Sequence, residues 1–66
     1  MKVMINGSGH ELPDGATVGA AVRTLTGQAA GVAVAVNDEV VSRGAWDTTQ
    51  LAEGDRIEVL TAVQGG

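Results

Sequence analysis

Sixty-six residues carrying eight acidic and four basic side chains (net charge −4), no cysteine and a single tryptophan as the only aromatic describe one small acidic domain with a thin core. So short a chain has no room for both a stable fold and an enclosed catalytic pocket, which argues against an enzyme acting alone. The charge is wrong for nucleic acid or an anionic membrane, and the lack of cysteine excludes disulfides and thiolate metal ligands.

Residues 2–6 read as a strand, with Val3 and Ile5 on one face and Met4 on the other. Gly7-Ser8-Gly9 is expected to turn the chain, and residues 10–12 return it as a short hairpin partner. Pro13-Asp14-Gly15 ends that strand through a fixed φ, an Asx-type side chain and a permissive glycine. Thr17 has the chemistry of a helix N-cap. Val18, Ala21, Val22 and Leu25 follow at helical spacing as one buried stripe, and Gly27 is the expected stop. Alone, such a helix is too short to be stable, so it must pack on a sheet.

In the second half, Val32, Val34 and Val36 alternate with Ala33 and Ala35, giving a strand with one bulky and one small face. Asn37-Asp38 makes a tight turn into a strand at residues 39–41. A loop then runs through Arg43, Gly44, Trp46 and Asp47 to Leu51, and Glu53-Gly54-Asp55 is a sharp turn into the longest strand, residues 56–63. Ile57, Val59, Thr61 and Val63 share one side of it; Arg56, Glu58, Leu60 and Ala62 share the other. Strand, strand, helix, strand, strand, strand, with one helix on one face of a mixed sheet, is an α+β roll. If the last strand lies inside the sheet, it anchors the chain to about Val63. The expected organisation is then a domain over 1–63 and a flexible tail over 64–66.

That tail, Gln64-Gly65-Gly66, carries the strongest functional signal. Glycine has no Cβ, so a Gly-Gly end is narrow and free to thread into another protein's active site with its carboxylate leading. A free carboxylate is a poor electrophile; transfer of AMP onto it makes an acyl adenylate that a sulfur or nitrogen nucleophile can attack. The bland alternative is a frayed end.

With the helix-on-sheet order, the Leu51 to Ile57 segment (Leu-x-Glu-Gly-Asp-x-Ile) and the Gly-Gly in place, the chain resembles the ubiquitin-like β-grasp sulfur carriers. Within them it is most similar to the carriers of bacterial thiamine biosynthesis. The matching residues are Val34-Ala35-Val36-Asn37, Val41 followed by Arg43 and Trp46, Glu53-Gly54-Asp55, and Val63-Gln64-Gly65-Gly66. The resemblance implies a protein co-substrate, not an enzyme. A ubiquitin-activating-like adenylyltransferase, using ATP and magnesium, would adenylate Gly66. Sulfur from a cysteine desulfurase route would displace AMP to leave a thiocarboxylate, and thiazole synthase would take that sulfur into the thiazole of thiamine. It also implies no cofactor or metal bound to the carrier itself.

Other residues are weighed on their own chemistry. Trp46 is first a core residue with one donor to satisfy and second a partner anchor. Arg43 is split the same way, between loop carbonyls and a partner. Leu60 and Ala62, if on the open sheet face, would form an apolar docking patch beside the tail. His10 has no second ligand, and Gly7-Ser8-Gly9 lacks the lysine of a phosphate-binding loop. The carboxylates form a solvated surface, some of them suited to a basic partner. With no long apolar run and no leader-like segment, a soluble, cytoplasmic protein, monomeric when free, is expected. Rival readings are a sulfur carrier for molybdopterin synthesis, a ubiquitin-like modifier, and a β-grasp interaction module with an incidental Gly-Gly.

Overall fold

The computed structural model describes residues 1–27 and 31–61. Its elements are β1 (Lys2–Ile5), β2 (Ser8–Glu11), α1 (Val18–Leu25), β3 (Val32–Val36), β4 (Glu39–Val41), a short 3-10 turn (Arg43–Ala45) and β5 (Arg56–Thr61). The five strands form one sheet in the order β2-β1-β5-β3-β4. β1 and β5 run parallel, with Met4 opposite Arg56 and Ile5 opposite Ile57, while the other pairs are antiparallel. The final strand is therefore central, gripped by β1 on one side and β3 on the other, as the α+β roll requires.

Alternation decides which face is covered. Val3, Ile5, Val34, Ile57 and Val59 point to one side of the sheet and are buried there with Val18, Ala21 and Val22 of α1 and with Trp46 and Leu51 of the following loop. Each fully buried aliphatic side chain contributes about 1.5–3 kcal/mol relative to exposure. Thr17 caps α1 as expected, its hydroxyl accepting from the Ala20 N–H at 3.4 Å. The preceding donors are taken by the loop before β5: Val18 N–H donates to the Thr49 carbonyl (2.9 Å) and Gly19 N–H to that of Trp46 (3.1 Å). Those bonds fasten the start of the helix to the loop and fold Trp46 beneath it.

Three local expectations change. The first turn is Asn6-Gly7, not Gly7-Ser8-Gly9. Asn6 (φ 51°) and Gly7 (φ 83°) form a two-residue loop that pairs Ile5 with Ser8, so Ser8 and Gly9 belong to β2, whose last residue is Glu11. A two-residue hairpin needs left-handed backbone at both central positions to match strand twist, and Asn-Gly supplies it better than Ser-Gly. Second, α1 stops at Thr26, whose extended backbone (φ −149°) ends it while its N–H bonds the Val22 carbonyl, with no left-handed Gly27. Third, Leu25 is 45% exposed because the core beneath the helix reaches only Val22. The Asn37-Asp38 turn (φ 50° and 70°) and the Gly54 turn (φ 82°) stand as read. The expected reach of the last strand to Val63, and the tail at 64–66, lie outside the described residues.

Among the described residues no helix is long and apolar enough to cross a membrane, and no group of three or more histidine, cysteine or acidic side chains is placed to hold a metal ion.

Candidate functional site

The side of the sheet away from α1 is open, and the register assembles it. Met4 and Arg56 are neighbours across β1 and β5, Glu58 faces Ala35, Leu60 faces Ala33, and Ala35 faces Val40. Leu60 is 69% and Val40 79% exposed. Between them the small side chains of Ala33 and Ala35 leave a shallow apolar saddle, lined also by Glu58. A wider groove of about 620 Å³ lies against it, walled by Met4, Asn6, Gly7, Arg56, Ile57, Glu58 and Leu60. Large exposed aliphatic groups on the central strand β5 and the edge strand β4, uncovered among the described residues, suit contact with another protein.

Of the residues singled out from sequence, Leu60 is on this face. Ala62, Gln64, Gly65 and Gly66 lie outside the described residues. Arg43 opens the 3-10 turn, exposed and without a side-chain hydrogen bond or ion pair among the described residues; it lines neither surface that Leu60 lines. Trp46 is not a docking anchor: its side chain is in the core at 6% exposure, and its indole N–H donates to the Val41 carbonyl at 3.1 Å. The indole is a large apolar surface with one donor, and the turn after β4 offers it both burial and an acceptor.

Two contributors were missed. Val40 completes the saddle; strict alternation across the Asn37-Asp38 hairpin, carried two residues past the turn, places it opposite Ala35. Asn6 was read only as a strand end, although the Asn-Gly pair marks a two-residue turn and puts its amide beside β5.

The strand that carries Leu60 is braced at its start. Asn37 Oδ1 accepts from Arg56 N–H (3.0 Å), Asn37 N–H donates to the Arg56 carbonyl (2.8 Å), and Asn37 Nδ2 donates to Asp55 Oδ1 (3.0 Å). Asp55 Oδ2 in turn accepts from Ala52 N–H at 2.8 Å, closing the turn around Gly54. The Arg56–Asp38 ion pair at 3.1 Å is exposed on both sides and adds little, about 0–1 kcal/mol. The hydrogen bonds, not the charges, fix this end of β5.

Comparison with known proteins extends the description. The model of the ThiS family matches residues 3–66. The sulfur carrier protein ThiS of Escherichia coli (strain K12) is 29% identical over 66 residues, the whole of both chains. A thiazole synthase of Magnetococcus marinus is 38% identical over all 66 residues, and the chain spans 20% of that protein's length. The crystal structure of the thiamine biosynthesis protein ThiS from Geobacter metallireducens superposes with a TM-score of 0.81 at 32% identity, covering all of both chains. A solution structure of a thiamine biosynthesis protein from the same organism gives 0.80 at 30% identity, covering this whole chain and 88% of that one.

Proposed function

The chain belongs to the ThiS family of ubiquitin-like β-grasp proteins, and from that premise we propose that it is a sulfur carrier of thiamine biosynthesis. It is a carrier and not a catalyst. Its reactive group is the carboxylate of Gly66. An adenylyltransferase of the ubiquitin-activating type, using ATP and magnesium, joins AMP to that carboxylate and releases pyrophosphate. The terminal sulfur of a protein persulfide, supplied by a cysteine desulfurase route, then displaces AMP to give an acyl disulfide. A second thiol cleaves its S–S bond, releasing the thiocarboxylate and leaving a disulfide. Its negative charge sits on a soft, nucleophilic sulfur, so the sulfur is both activated and tethered.

Thiazole synthase is the acceptor in this reading. Its support is the Magnetococcus marinus thiazole synthase, a fifth of whose length aligns with this entire chain at 38% identity. Gly65 and Gln64 form the slim segment that reaches the partner's active site, where the absence of a Cβ at Gly65 lets the channel close on the backbone. Leu60 and Val40, exposed on the rigid open face, are the docking contacts that hold the carrier while its end is inserted. Holding both reactants this way makes sulfur delivery effectively intramolecular.

The observation that carries the reading is the family match over residues 3–66, which includes the Gly65-Gly66 pair. Its test is the intact mass of the protein recovered from thiamine-starved cells of its source. The expected species is heavier by one oxygen exchanged for sulfur, with the change mapped to Gly66. A single unmodified mass, persisting after incubation with the activating enzyme, ATP and a sulfur donor, would overturn it.

A further inference from the structure

β1 leaves the sheet earlier than its neighbour needs it to. After Ile5 the chain turns away through Asn6-Gly7, while β5 continues to Thr61. The Asn6 N–H still reaches the Ile57 carbonyl at 2.9 Å. The next inward-facing groups of β5 on that side are the N–H and C=O of Val59, and no backbone of β1 stands opposite them. The Asn6 side chain takes that place. Its Oδ1 accepts from the Val59 N–H at 2.8 Å, and its Nδ2 donates to the Val59 carbonyl at 3.1 Å. One side-chain amide thus supplies the acceptor and donor that two further strand residues would have supplied. Asparagine suits both demands of the position: it tolerates the left-handed φ of 51°, and its amide carries one donor group and one acceptor.

We propose that Asn6 is a positioning residue for the carrier reaction, fixing the last described residues of β5, Val59 to Thr61, the rigid segment that precedes Gly66 in sequence. This rests on the sulfur carrier reading. Val59 stands two residues before Thr61, the last of β5. Beyond Ile57, among the described residues, the strand is paired with β3 through Glu58, Val59, Leu60 and Thr61 and with no residue of β1. A strand held along one edge can pivot about that edge, and the paired bonds to Asn6 remove the pivot. The same residue walls the groove that runs to Leu60, so docking and aiming share one rigid frame. A misaim of about 1 Å at a reacting end can cost on the order of 100-fold in rate.

The test uses the whole carrier with its activating enzyme, measuring kcat and KM for adenylation beside thermal melting. N6G removes the amide while keeping the left-handed turn accessible, and the melting checks that it remains folded. N6D keeps the acceptor for the Val59 N–H and loses the donor. T17A, which loses the helix cap bond to Ala20 N–H and no bond to β5, is the control for stability alone. Expected are a kcat for N6G lower by roughly 10- to 100-fold with KM within about twofold, partial recovery in N6D, and wild-type kcat in T17A. Residual dipolar couplings of the Leu60 and Thr61 N–H bonds should change in N6G. Wild-type kcat in N6G, or an equal loss in T17A, would overturn the positioning role and leave the carrier reading standing. A wild-type protein that is never adenylated would overturn the carrier reading and this role with it.

Discussion

The indole N–H of Trp46 ends 3.1 Å from the carbonyl of Val41, so the only aromatic side chain ties the end of β4 to the core beneath α1. At 6% exposure it is a structural residue. A domain of this length has a total stability on the order of 3–10 kcal/mol. Removing a buried aromatic to alanine costs about 3–5 kcal/mol, enough to unfold much of the population. Trp46→Ala should therefore show a collapsed or absent urea transition by circular dichroism. Trp46→Phe should fold with a loss of about 1–2 kcal/mol, from the lost donor and the smaller ring. In the native protein, adding a partner should leave the blue-shifted Trp46 emission and its acrylamide quenching unchanged; strong new protection would place it at an interface after all.

Two glycines should respond to alanine with opposite signs. Gly19 lies in α1, where the groups nearest a Cβ are the carboxylate of Asp47 and, more loosely, the guanidinium of Arg23. Those two groups form an ion pair at 3.7 Å, with the side chains 68% and 79% exposed, and the Asp47 carboxylate can swing into solvent. The pair is worth about 0–1 kcal/mol, whereas glycine to alanine inside a helix gains about 0.8–1 kcal/mol. Gly19→Ala should raise stability by up to about 1 kcal/mol after that loss. Gly54 has open space around a Cβ but a φ of 82°. Gly54→Ala should cost about 1–2 kcal/mol for the left-handed backbone alone. Urea midpoints moving the same way in both variants would refute this account.

On the open face, Leu60→Gln separates docking from folding. At 69% exposure opposite the small Ala33, the leucine contributes little to the core, and the change in stability should stay within about 0.5 kcal/mol. Binding to the activating enzyme, read by titration calorimetry, should weaken about tenfold, or 1.4 kcal/mol. Val40→Gln should do the same if the saddle acts as one contact. Unchanged affinity in both variants would move the docking surface elsewhere.

How much of this was legible in the sequence depended on the range of the forces involved. The valine–alanine alternation of residues 32–36 and the stripe of α1 are local patterns, and both set the buried face correctly as far as Val22. The last strand was legible as the longest one, but its central place in the sheet was only a condition of the reading until the pairing with β1 and β3 settled it. The ambiguity of Trp46 was a matter of tertiary contact, since only folding brings the Val41 carbonyl to the indole. Val40 was legible in principle, two residues past a turn already identified. Asn6 was harder: the Asn-Gly turn is a local signal, but the gap opposite Val59 exists only because β1 stops short of β5. Ala62 and the segment from Gln64 to Gly66 lie outside the described residues, and their roles rest on chemistry and family.

That chemistry makes the sharpest demand at Gly66. Adenylation requires the carboxylate to sit in line with the α-phosphate of ATP while the residue bearing it is enclosed. A methyl group on the α-carbon then competes for space with the channel wall at the point of reaction. Gly66→Ala alters none of the described core residues, so its melting should match wild type to within about 0.5 kcal/mol. Adenylation, followed by pyrophosphate release, should fall by roughly 100-fold, because displacement of the reacting group by about 1 Å is enough for that loss. Deleting Gly66 should abolish thiocarboxylate formation at the normal position while leaving binding through Leu60 within about twofold. The two variants distinguish a channel that measures width from one that measures length. A Gly66→Ala carrier adenylated at the normal rate would mean that the activating enzyme leaves room for a side chain, and the slimness of the glycine pair would then need another cause.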